Sequence, residues 1–156
     1  IKNPYDVTIV ASHFHQGVFV MTESKTGGCL CGAVRYELTG DPMTTMVCNC
    51  TICQKSSGSA LSTIALVSRD ALKVEGELKG YEYAGDSGNK LEINFCPNCG
   101  SPVLLNIRRM PDIVSIKVGS FDDTSWFKPK INIYTDSAQS WLPEIADCQA
   151  FAKGAG

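Results

Sequence analysis

Apolar and polar residues alternate in short bursts along this chain, and small turn-forming residues separate the bursts. Ala33 to Leu38 reads apolar–polar–apolar, the period of a half-buried strand. Gly40-Asp41-Pro42 then marks a turn. Leu61 to Val67 is an apolar run with β-branched residues, and Leu72 to Val74 and Leu78 to Tyr83 predict two further strands. Asp86-Ser87-Gly88-Asn89 is a hairpin signal leading to the alternation of Leu91, Ile93 and Phe95. Val103 to Ile107, Ile113 to Val118 and Ile131 to Tyr134 complete the strand set. Helical signals are confined to a turn or two from Cys50 to Ser57, ahead of Gly58, and a short stretch at Pro143 to Ala146. The pattern predicts a mainly β, single-domain fold.

Composition adds little until the cysteines are counted. The chain has 156 residues with 44% hydrophobic and 19% charged side chains, enough for one domain with a core and ordinary for a globular protein. Fourteen Lys plus Arg against 16 Asp plus Glu, with no basic run, argue against nucleic acid as a partner. No apolar stretch approaches the roughly 18 residues of a membrane helix, so a membrane is not an expected partner. Residues 1–20 differ in character from the rest and read as a leader or an artificially appended segment, with the domain over residues 21–156. His13 and His15 lie in that first segment, and a surface pair is the simpler reading than a metal site.

Eight cysteines fall into three clusters and a straggler: Cys29 and Cys31 in GGCLCG, Cys48, Cys50 and Cys53 in CNCTIC, Cys96 and Cys99 in FCPNCGS, and Cys148 alone. Cysteines one or two residues apart make poor disulfide partners and good partners for one metal ion, and a cytoplasmic, reducing location is expected. Gly32 and Gly100 follow the second cysteine of two clusters and permit a positive φ that turns backbone N–H groups toward thiolates. Zinc takes four ligands at tetrahedral angles. Spacing alone leaves two groupings. In one, Cys50 and Cys53 join Cys96 and Cys99 in a ribbon-like site. In the other, Cys29, Cys31, Cys96 and Cys99 form a closed site and Cys48, Cys50 and Cys53 a three-thiolate site with an open position. The second uses seven cysteines in two sensible groups.

The pieces GGCLCGAVRY, CNCTICQKSSGS, FCPNCGSPV and INIYTDSAQSWL, in this order, resemble the glutathione-dependent formaldehyde-activating family, which also includes centromere-protein-V-like domains. The resemblance spans nearly everything from Gly27 to Phe151. It implies a β-rich, Mss4-like zinc domain with two Zn2+ ions. Cys29, Cys31, Cys96 and Cys99 match the family's structural zinc ligands, and Cys48, Cys50 and Cys53 its catalytic-type site. It also implies a carbon–sulfur lyase-type activity on a small-molecule thiol such as glutathione and an aldehyde, giving S-hydroxymethylglutathione or a related adduct. Asn49 and Gln54 stand where the family often has His and Arg, a change expected to alter substrate charge preference beside the zinc.

Other candidates have plainer readings. Ser56, Ser57 and Ser59 could bond the sulfurs or cap a turn. Trp126 and Trp141 could line a pocket or fill the core. Asp122 and Asp123 read as a solvated loop, and Arg108 and Arg109 as a surface pair. A non-enzymatic zinc scaffold that binds a protein partner is the alternative to an enzyme, and self-association into a homo-oligomer is left open.

Overall fold

The computed structural model describes residues 23–155; the leader reading of residues 1–20 and the His13–His15 pair lie outside them. In chain order the elements are β1 (Ser24–Gly28), β2 (Arg35–Thr39), β3 (Thr44–Cys48), α1 (Thr51–Ser57), β4 (Ser62–Ser68), β5 (Leu72–Glu75), β6 (Lys79–Ala84), β7 (Lys90–Phe95), β8 (Pro102–Ile107), β9 (Ile113–Lys117), β10 (Ile131–Ile133) and β11 (Gln149–Ala150). The expected mainly β fold is what forms. Pro143 to Ala146 is not helical; it belongs to an irregular stretch between β10 and β11. β1, β3 and β11 lie where no strand is expected from pattern.

The strands form two sheets. A small one has the order β1-β2-β5, and a large one β11-β10-β3-β4-β9-β8-β7-β6. Pairing is antiparallel except where β10 runs parallel to both β3 and β11. Strand alternation divides the large sheet into two differently used faces. Ala65 and Val67 of β4 and Val114 and Ile116 of β9 join Tyr36 and Leu38 of β2, and Val34 just before it, in the main core. Val34, Leu38, Val114 and Ile116 are wholly enclosed there, so this is where apolar burial concentrates. Tyr36, Phe121 and Trp126 stack edge to face across the same region.

The opposite face carries a smaller cluster of Cys48, Cys53 and Ile64, with Met46, Leu66 and Ile133 against it. The register fixes this: Met46 pairs with Ile64, and Cys48 with Ser62, so β3 and β4 point these side chains the same way. Among the described residues, no helix is long and apolar enough to cross a membrane.

Candidate metal centres

The first centre is built by two hairpin turns that face each other. Between β1 and β2, Cys29 N–H donates to Val34 O and Gly32 N–H to Cys29 O, closing a knuckle that carries Cys29 and Cys31. Between β7 and β8, Gly100 N–H donates to Cys96 O and Cys96 N–H to Ser101 O, closing a second knuckle with Cys96 and Cys99. Gly32 and Gly100 both take positive φ, 78° and 74°, as the turns require. All four sulfurs lie within 4.8 Å of one another. Cys29 and Cys31 approach to 3.5 Å, and Cys31 and Cys96 to 3.8 Å. A tetrahedral ion with Zn–S near 2.3 Å sets its sulfurs about 3.8 Å apart, so the spacing suits one ion. Donors surround the sulfurs: Val34 N–H to Cys29 at 3.2 Å, Asn98 Nδ2 to Cys31 at 3.2 Å, and the Ser101 hydroxyl against Cys99 at 3.2 Å. Such outer hydrogen bonds orient metal-bound thiolates.

The second centre is nearly local in sequence. β3 ends on Cys48, Cys50 caps α1 by accepting Cys53 N–H at 3.3 Å, and Cys53 lies in the first turn of the helix. α1 stops at Gly58, which is left-handed at φ 62°. Cys48, Cys50 and Cys53 also lie within 4.8 Å of one another, and no fourth His, Cys, Asp or Glu of the described residues joins them. The structure therefore assembles the closed-plus-open grouping and separates Cys50 and Cys53 from Cys96 and Cys99. Cys148 belongs to neither; its thiol donates to Ile145 O.

Ionisation of the sulfurs points the same way in both centres. Hydrogen bonds from Cys48 and Cys53 to its thiolate push Cys50 down to about 2. Cys48 moves up, because it serves Cys50 and Cys53 as a donor and is buried. Cys53 settles at about 11: the Cys48 hydrogen bond pulls it down, and its bond to Cys50 together with burial outweighs that pull. In the four-sulfur centre the Ser101 hydroxyl and N–H bring Cys99 down to about 5. Burial there pushes Cys29 up, and Val34 N–H with the neighbouring sulfurs outweighs it, so Cys29 too is lowered. Within the three-sulfur centre one sulfur ionises readily and the others resist adding negative charge beside it. A shared cation removes that conflict, and an all-sulfur donor set with no carboxylate is one that zinc favours over magnesium or calcium.

Three polar residues that the sequence did not single out hold the second centre. Lys117 of β9 is buried, donates to Ser62 Oγ at 2.8 Å, and adds a smaller charge effect that lowers Cys53. Asn132 of β10 accepts from Asn49 Nδ2 at 2.7 Å, and Gln139 Nε2 donates to Gln54 Oε1 at 2.8 Å. These bonds revise the reading of Asn49 and Gln54. Asn49 is buried and also donates to Ile133 O, and Gln54 Nε2 donates to Asn49 O and Ser137 O. Both side chains are spent on tying the CNCTIC segment to residues 132–139, rather than on setting charge at the open position.

The remaining candidates fall out plainly. Ser56 and Ser57 donate to Cys53 O and so finish the helix. Trp126 packs beside the core, whereas Trp141 is 70% exposed, which corrects a core or pocket role for it. Asp122 is an anchor: Arg35 and Thr26 both bond its carboxylate. Asp123 accepts Ser125 N–H, Arg108 pairs with Glu82 and Glu92, and Arg109 lies on a cavity beside the three sulfurs.

That cavity, of about 340 Å³, is where the second centre opens. Cys48, Cys50 and Cys53 line one part of it, and Met46, Ile64, Leu66 and Leu105 make much of the rest. Tyr83 and Tyr134 also face it, and burial raises both phenols, so each keeps its proton at neutral pH. Tyr134 holds a left-handed backbone at φ 57°, a strained conformation for a non-glycine residue.

Residues 24–137, which contain both centres, match the sequence family described as glutathione-dependent formaldehyde-activating enzyme. The chain belongs to that glutathione-dependent formaldehyde-activating family. Its fold is also found in a crystal structure of a Rhodobacter sphaeroides protein, similar with a TM-score of 0.50 at 22% identity over 67% of this chain and 91% of that one. None of the curated proteins compared matches this family member.

Proposed function

We propose that the chain is a zinc-dependent enzyme of carbon–sulfur lyase type that forms and cleaves the adduct of a thiol with an aldehyde. Glutathione plus formaldehyde, giving S-hydroxymethylglutathione, is the reaction its family name suggests. In this reading residues 21–156 are the catalytic domain, Cys29, Cys31, Cys96 and Cys99 hold a structural zinc, and Cys48, Cys50 and Cys53 hold a catalytic one. The observation that carries it is the contrast between the centres: four sulfurs gather in one, enough for a tetrahedral ion, while three gather in the other beside a cavity.

Bound at the three sulfurs, zinc would supply an open position that favours a thiolate and polarises a carbonyl oxygen. The chain's own residues do the rest. Cys48, Cys50 and Cys53 fix that position at the end of β3 and the start of α1. Met46, Ile64 and Leu66 give the cavity an apolar wall beside the sulfurs. Tyr83 and Tyr134, both protonated, offer O–H donors to a developing alkoxide. As the S–C bond forms, the C=O π bond breaks, and the proton lost by the thiol ends on that oxygen.

The test is Cys50→Ser in the full chain, with zinc per chain read by native mass spectrometry and adduct formation followed by NMR. The wild type is expected to hold two ions and to accelerate adduct formation. The variant is expected to hold one ion, stay folded and lose at least about a hundredfold in rate. No acceleration by the wild type, or an unaffected rate in the variant, overturns the reading.

A further inference from the structure

The cavity beside the three sulfurs runs away from them along an apolar floor and reaches a hydroxyl with nothing to bond. Across β3, β4 and β9, Cys48 lies opposite Ser62, whereas Ser115 lies opposite Leu66, which itself faces Thr44. Ser115 is thus four positions along the strands and two strands across from Cys48, about 16 Å away by strand geometry. Met46, Ile64 and Leu66 lie on the same face between them, and all line the cavity. Ser115 is 1% exposed, and its Oγ is the buried side-chain oxygen that lacks a hydrogen-bond partner among the described residues. Leaving a buried hydroxyl unpaired is costly, and natural proteins rarely do so. Ser115 lies on the cavity face of β9 beneath larger side chains, so a ligand oxygen that parts them would be its partner.

Charge narrows the ligand further. Among the described residues the lining carries a single cation, Arg109, and a single carboxylate, Asp86, and both are exposed. A tripeptide with two free carboxylates and an ammonium would either leave those groups outside or bury them unpaired, which is strongly unfavourable.

We propose that the cavity takes an uncharged, extended hydrocarbon chain, with a thiol or aldehyde at the sulfur end and a neutral oxygen at the Ser115 end. This rests on the reading of the three-cysteine centre as a thiol–aldehyde site, and it replaces glutathione with an apolar substrate class there. Filling the cavity buries apolar surface on both partners and gives Ser115 its missing bond.

The test uses the full, zinc-loaded chain and three thiols: 8-mercaptooctan-1-ol, octane-1-thiol and glutathione. Binding is measured by calorimetry, and adduct formation with formaldehyde is followed separately. The mercapto-alcohol is expected to bind at least about tenfold more tightly than glutathione. Ser115→Ala removes only an unpaired hydroxyl, so folding is safe. It is expected to weaken the mercapto-alcohol about fivefold and to leave octane-1-thiol unchanged. Glutathione binding as tightly as the mercapto-alcohol overturns the proposal, as does an equal effect of Ser115→Ala on both alkyl thiols. Absence of binding by either alkyl thiol overturns it too. Binding without adduct formation supports the apolar cavity and removes the catalytic reading; adduct formation with glutathione alone does the reverse.

Discussion

At the scale of single residues, the two centres depend on side chains in unequal ways. Cys96 is fully enclosed at the join of two hairpins, so Cys96→Ser is expected to remove the ion there and lower the melting temperature markedly, read by native mass spectrometry and calorimetry. Lys117 acts at a distance from any substrate. Three thiolates and a dication leave one negative charge, which its ammonium opposes. Lys117→Met is expected to weaken zinc at Cys48, Cys50 and Cys53 about tenfold in chelator competition, with the four-sulfur centre unmoved. Two glycines separate backbone from packing. A Cβ at Gly100 meets nothing within 4 Å, so Gly100→Ala should cost only the positive φ, about 1–2 kcal/mol in urea titration. A Cβ at Gly27 would stand 2.4 Å from Ser120 O, and that backbone cannot yield, so Gly27→Ala should be clearly worse. Sequence made the seven clustered cysteines legible because ligand spacing is local. Lys117, Asn132 and Gln139 were not legible, since each gains its meaning from a residue far away in the chain, and nothing in IKVGS or INIYTDSAQ marks those bonds.

At the scale of elements, legibility had two sources. β2 buries Tyr36 and Leu38 on one side and exposes the other, so it alternates, whereas β4, β8 and β9 are buried on both sides and read as apolar runs. β1 is SKTGG, with little to alternate, and is a strand because β2 pairs with it along its whole length. β3 places Val47 on one face and Met46 and Cys48 on the other, so both sides are partly buried and the period is lost. The small sheet is tied down by Asp122, whose carboxylate Arg35 and then Thr26 hold below the usual range. A depressed carboxylate contributes fully above its ordinary pKa and loses that contribution as pH falls through the lowered one. The melting temperature of the wild type should therefore drop below about pH 4, and Asp122→Asn should start lower and lose less over that window.

At the scale of the whole molecule, the pairing of β10 with β3 brings residues 131–133 back beside Cys48, so the three-sulfur centre is braced by a late part of the chain although its ligands are contiguous. The four-sulfur centre is the reverse, with Cys31 and Cys96 standing 65 positions apart. Stepwise chelation should respect this: the open centre is expected to empty first with the fold intact, and loss of the second ion to coincide with unfolding, as tracked by mass spectrometry and circular dichroism. The difference reaches into the unfolded chain. A CNCTIC segment can grip an ion before any tertiary structure exists, so zinc there stabilises the native and denatured ensembles together and adds little to the gap between them. Cys31 and Cys96 meet only after a long loop has closed, so zinc at that centre favours the folded chain alone and sets its dependence on metal supply during synthesis.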